Sequence, residues 1–172
     1  GVQTCALPIS EIAALQSTAS GDFNFPTTLE IYFPIFDMIA RHIGNVQVET
    51  GLDHWPNLYC GVAVYIFMGL YFLNRRIAIR EKVVYGVLLL FFYASFSFNV
   101  LNFIWHGFHD QYGIPNRFSF LFGFVLLYML WEVFEHLEGV KGWHAAFACM
   151  TGVALMAYAK LKGTQVLEDN VY

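Results

Sequence analysis

Two histidines, an aspartate and an arginine fall within one short stretch, 102–120 (NFIWHGFHDQYGIPNRFSF), of a 172-residue chain in which only 13% of residues are charged. His106 and His109 stand three apart and Asp110 follows directly, so a single helical turn would present two imidazoles and a carboxylate together. Such a set can hold a divalent metal or move protons, with His106 and Asp110 as the candidates for acid and base work. Histidines near a membrane interface also serve as hydrogen-bonded structural groups, and spacing alone leaves these readings open.

Arg117 carries a different chemistry. Its planar fork can grip a phosphate with two parallel hydrogen bonds, and Pro115 just before it restrains the start of the following helix, whose first turn adds its positive dipole end. An anion is the natural ligand, with Asn102, Asn116 and His109 as further polar contacts from the same stretch. The alternative is an arginine that snorkels to lipid headgroups and binds nothing else.

These residues need elements to position them, and the composition says which kind. Hydrophobic residues make up 58% of the chain and aromatics 19%, with 18 Phe and 10 Tyr, whereas soluble domains carry roughly 25% charged residues. That is the composition of an all-α, multi-pass membrane bundle resting in a lipid bilayer. The formal charge of −4 and the lack of a basic stripe exclude nucleic acid as a partner. Cys5, Cys60 and Cys149 have neither zinc-site spacing nor a disulfide framework.

Four apolar runs are expected as spanning helices, at about 58–73, 83–104, 118–134 and 143–161. In the second, Ser95, Ser97 and Asn99 are polar enough to prefer a protein neighbour over lipid, and the fourth carries the small residues Ala145, Ala146, Ala148, Gly152, Ala154 and Ala157 that permit close packing. Residues 10–57 read as a linker and an outward interfacial segment broken by Pro26, Pro34, Gly44 and Gly51, and 163–172 as a polar tail. Residues 1–9 (GVQTCALPI) resemble the translation of a sequencing-library adapter and are set aside. The chain is therefore expected to be an internal or C-terminal piece of a longer protein. Arg75, Arg76, Arg80 and Lys82 place the 74–82 connection in the cytoplasm, which puts 105–117 and the acidic 22–56 segment on the outer face. Glu132, Glu135 and His136 lack the Glu-x-x-His spacing of dinuclear bundle sites, because Val133 stands three before His136. They read as a helix-end cluster.

The succession Pro56-Asn57-Leu58-Tyr59 with Gly61, Asn74 in the basic loop, Leu101-Asn102, Trp105-His106-Gly107-Phe108 and Pro115 with Arg117-Phe118-Ser119-Phe120 resembles the YfhO family of bacterial membrane proteins. The resemblance covers about 51–130 and is strongest in the block from Trp105 to Phe120. It implies a GT-C type glycosyltransferase of the bacterial plasma membrane that moves a sugar from a polyprenyl-phosphate carrier to an envelope glycopolymer such as teichoic acid. It further implies that Arg117 and His106 contact the departing lipid phosphate. In enzymes of this type the catalytic carboxylate lies in an earlier outward loop, so this stretch alone is expected to be inactive. No cofactor is firmly implied, and a divalent metal stays possible. The residues themselves leave two other readings open, a transporter or flippase of a lipid-linked anion and a structural membrane protein.

Overall fold

A computed structural model describes residues 25–34, 36–42, 55–108 and 116–169. The adapter-like residues 1–9, most of the expected linker, and the pair His109 and Asp110 lie outside the described residues. The fold is all-helical as expected, with α1 at Val62–Leu73, α2 at Ile79–Ser97, α3 at Asn99–Trp105, α4 at Ser119–Glu135 and α5 at Gly142–Asp169. Two 3-10 helices, Asp37–His42 and Leu137–Gly139, complete the helical elements. Helix α1 packs on α4 and α5, the first 3-10 helix lies against α5, and α2 touches α3 and α4.

Helix α1 begins four residues later than the apolar run suggests, for a backbone reason. Gly61 sits at φ 108°, a conformation that costs any residue with a Cβ. The carbonyls ahead of it are also committed elsewhere. Pro56 O accepts from Arg41 Nε at 3.2 Å and Leu58 O accepts from the Tyr65 hydroxyl at 3.0 Å, so this segment cannot also close helical hydrogen bonds.

The expected single helix over 83–104 is two helices. Phe98 is extended (φ −93°, ψ 125°), and the broken ladder is closed by a segment far away in sequence. Tyr32 N donates to Ser97 O at 2.9 Å and Asn99 N to Glu30 O at 3.1 Å, with Ile31 bridged antiparallel to Phe98. The Asn99 side chain finishes the clamp, since its Oδ1 accepts from Glu30 N (3.0 Å) and Val100 N (2.8 Å) and its Nδ2 donates to Thr28 O (2.8 Å). Non-helical backbone is tolerated in an apolar setting only where protein satisfies it. Ser95, Ser97 and Asn99 are all buried, so the polar end of this run does pack against protein.

The interior is layered by helical periodicity. Phe122, Leu126, Met129 and Val133 repeat along one face of α4 and are all buried. Small residues let α1 and α5 approach, because a Cβ on Gly69 would lie 3.4 Å from Ala148 Cβ and one on Gly152 would lie 3.0 Å from Ile66 Cγ1. The outside is no more polar than the inside. Phe120, Phe124 and Leu90 are 70%, 67% and 71% exposed, an apolar surface that water does not favour.

Among the described residues no helix is long and apolar enough to cross a membrane, which corrects the expectation of four single-helix spans. Helix α1 has 12 residues and α4 has 17, about 18 and 25 Å against a hydrocarbon core of roughly 30 Å. Helix α2 starts at Ile79 and so takes Arg80, Glu81 and Lys82 into its first turn. Helix α5 is longer, but it mixes Thr151 and Lys160 with its apolar residues.

At the α1 end, Asn74 is fully buried and latches α1 to α4. Its Nδ2 donates to His136 O at 2.9 Å and its Oδ1 accepts from Arg76 N at 2.9 Å. The helix-end cluster reads as the sequence suggested. The Tyr128 hydroxyl donates to Glu132 Oε1 (2.8 Å), and His136 Nδ1 donates to Glu132 O (3.0 Å), which caps the last turn of α4.

Candidate functional site

The Trp105-His106-Gly107-Phe108 block is first of all a helix stop. Phe108 N donates to Phe103 O at 3.0 Å and Gly107 N to Ile104 O at 3.1 Å, the paired bonds of a Schellman end. Gly107 supplies the required positive φ of 72°. The rings of Phe103 and Phe108 meet edge to face, centroids 6.2 Å apart, which is the apolar contact that accompanies such ends. Phe108 is itself left-handed at φ 64°, so the chain turns sharply away from α3 toward residues 109–115.

On the far side of those residues the chain returns through Asn116, again left-handed at φ 49°, a conformation asparagine tolerates better than most. Two contacts tie the ends together. Asn102 Nδ2 donates to Asn116 Oδ1 with both side chains buried. Phe118 is sandwiched between Trp105 (centroids 4.7 Å, 11° between planes) and Phe96 (5.0 Å, 17°), and each such stack is worth about 0.5–1.5 kcal/mol beyond burial. Between the buried Asn116 and the buried Phe118 stands Arg117, which is exposed. Arg117 thus stands on a backbone held on both sides, in the turn that leads into α4, where Ser119 N donates to Asn116 O at 2.8 Å.

His106 caps α3 with its side chain, since Nδ1 lies 2.8 Å from Asn102 O. A carbonyl can only accept, so Nδ1 carries the proton in the neutral ring and Nε2 is the basic nitrogen. Of the six candidate residues, the structure brings Asn102, His106, Asn116 and Arg117 to one end of the α3–α4 pair. His109 and Asp110 lie outside the described residues. Asn102 and Asn116 are buried and bonded to each other, and the pair holds the backbone next to Arg117. Among the described residues no group of three or more His, Cys, Asp or Glu side chains could hold a metal ion.

Sequence reasoning missed a second polar cluster. His42 Nδ1 is 2.7 Å from the Tyr65 hydroxyl, and Nε2 is hydrogen-bonded to the Tyr93 hydroxyl. Tyr65 donates its own proton to Leu58 O, so it accepts from His42 Nδ1–H, and Tyr93 donates to Nε2. Burial holds the His42 pKa down at about 4, consistent with a neutral ring. The three residues stand on separate elements with no spacing pattern between them, so nothing short of the tertiary fold could have grouped them. They form the polar part of the wall of a cavity of about 500 Å³ between α1, α2, α4 and α5.

The motif residues of the sequence thus do mostly structural work. Pro56 and Asn57 receive the buried Arg41 (Nη2 to Asn57 Oδ1, 3.1 Å), Asn74 is a latch, and Trp105 and Phe118 are a clamp. Arg117 is the charged member they leave exposed.

A helical body whose outer surface is as apolar as its core is the build of a membrane protein. The family model described as bacterial membrane protein YfhO matches residues 7–171, and the chain belongs to that family. No curated protein and no solved structure matches the chain.

Proposed function

We propose that this protein is part of a membrane glycosyltransferase that moves a sugar from a polyprenyl-phosphate carrier to a cell-envelope glycopolymer such as a teichoic acid. The observation that carries the reading is the placement of Arg117, an exposed guanidinium on a backbone pinned by the Asn102–Asn116 pair and the Phe118 stack. In the reaction an acceptor hydroxyl attacks the anomeric carbon, and the bond from that carbon to the phosphate oxygen breaks. The carrier phosphate leaves with the bonding pair, and the hydroxyl proton passes to a base. Negative charge grows on the phosphate, and a preorganised guanidinium stabilises that growth more than it stabilises the bound donor. His106, with Nδ1 committed to Asn102 O, stands at the same end of the bundle. Asp110 and His109 stay candidates through their spacing.

The membrane arrangement proposed here keeps 74–82 in the cytoplasm and 105–117 outside. Helices α2 and α3, 19 and 7 residues on either side of the Phe98 break, together act as one discontinuous span. A cysteine at Gln111 then reacts with a membrane-impermeant thiol reagent in intact cells, and reaction only in inverted vesicles would reverse the orientation.

The test of the function is Arg117→Ala in the native protein, scored by the sugar content of the purified envelope polymer. Loss of one such charge-stabilising group costs about 10²–10³ in rate, so glycosylation should fall to background. A polymer that stays fully glycosylated refutes the reading. A flippase predicts instead that the variant stops movement of the lipid-linked sugar across the bilayer.

A further inference from the structure

We infer that the cavity beside His42 is a binding slot for a single long hydrocarbon chain that enters from the bilayer. Its shape comes first. The lining runs from Val62 to Phe72 along α1, ten residues or about 15 Å. A volume of about 500 Å³ over that length leaves a cross-section of roughly 30 Å², one chain wide. A compact ring-shaped ligand would leave most of such a slot empty.

Chemistry narrows the ligand further. The polar side chains in the wall are His42, Tyr65 and Tyr93, and they are tied to one another and to Leu58 O. The neutral His42 has one N–H and one lone pair, and both are used. A polar ligand would be desolvated here with little to replace its water, whereas an aliphatic chain loses nothing. Apolar side chains continue to the edge of the slot, where Phe36 and Leu90 are 70% and 71% exposed. A mouth of that kind meets lipid more readily than water.

The slot also adjoins the arginine end. Phe122, whose ring lies 5.7 Å from both His42 and Tyr93, stands in the first turn of α4, five residues after Arg117 in the turn that leads into that helix. An amphiphile with an anionic head at Arg117 could place its chain in the slot. The inference rests on the cavity alone and survives if the transferase reading fails.

The test uses the native protein in lipid nanodiscs with two photoactivatable probes, a phospholipid with a diazirine in its acyl chain and a polyprenyl phosphate with a diazirine in its chain. Peptides labelled on illumination are located by mass spectrometry. Labelling should concentrate on 62–72 and 86–93 and fall about tenfold in Gly86→Leu, the effect of overfilling a packed position. Leu155→Phe narrows the slot from α5 and serves if Gly86→Leu does not fold. Gly142→Leu is the control, because a side chain there meets nothing within 4 Å. Labelling by the prenyl probe alone would identify a carrier chain as the occupant, and labelling by the phospholipid a bilayer acyl chain; either supports the slot. Labelling by neither probe, labelling spread evenly over the apolar exterior, or labelling unchanged in the folded variants overturns it. Intact labelling alongside an active Arg117→Ala enzyme would refute only the transferase role.

Discussion

Acidification should weaken this fold through His42, and the size of the effect follows from its surroundings. Burial depresses the imidazole pKa from 6.5 to about 4, so the folded protein keeps His42 neutral at pH values where the unfolded chain already protonates it. Protonation would also force Tyr93, which donates to Nε2, to turn its O–H away and accept instead. Between about pH 6.5 and pH 4 the unfolded state binds more protons, so stability falls as pH falls, and it is fully retained above 6.5. At about 1.4 kcal/mol per pH unit, a pKa lowered from 6.5 to about 4 corresponds to about 3 kcal/mol lost across that window. The perturbation is His42→Gln, which keeps one donor and one acceptor but does not titrate. The assay is denaturant or thermal unfolding of the detergent-solubilised protein, followed by tryptophan fluorescence at pH 7 and at pH 4. Carboxylates and the other histidines titrate in both proteins and cancel in the comparison. The native protein should lose about 3 kcal/mol more than the variant. Parallel losses in the two proteins would show that His42 is not held neutral by burial and would remove the hydrogen-bond order assigned to it.

Other outcomes follow from the same geometry. Asn116→Ala loses its bond to Asn102 and also forces a Cβ-bearing residue without a polar side chain to φ 49°; it should cost about 1 kcal/mol more than Asn116→Gly, which keeps the backbone. Gly139→Ala places a Cβ onto Asn74 Oδ1 and against Arg76 Cγ and should lower stability by about 1–3 kcal/mol, with a smaller effect in an Asn74→Ala background because both changes act on one latch. Asn99→Ala removes three hydrogen bonds to residues 28, 30 and 100, so hydrogen exchange at the Tyr32 and Glu30 amides should accelerate while that of Leu126 and Met129 stays slow.

Much of the helical layout was legible because periodicity and apolar length are local properties. The 118–134 run became α4 within a residue, and of the small residues of α5 Ala148 and Gly152 pack against α1 while Ala146, Ala154 and Ala157 are exposed. The Gly107 stop was present in the sequence as a glycine behind an apolar run. The break at Phe98 was not, because Val83 to Ile104 reads as one charge-free run with no glycine or proline near Phe98. What breaks it is an extended segment at 28–32, nearly seventy residues away, whose backbone groups replace those that the helix gives up.

For the candidate site, residue type and spacing by themselves placed Arg117 just ahead of a helix, which begins at Ser119, since the proline before it and the apolar run after it are written in the chain. They also determined membership of a membrane family. Only the tertiary structure decided which of these polar residues are buried and which stay exposed. Asn102 and Asn116 read alike as binding groups, yet the fold buries both against each other and leaves the arginine between pinned neighbours exposed. The His42–Tyr65–Tyr93 chain and its slot were equally beyond sequence, because hydrogen bonds across three elements depend on distances in space that no spacing along the chain encodes.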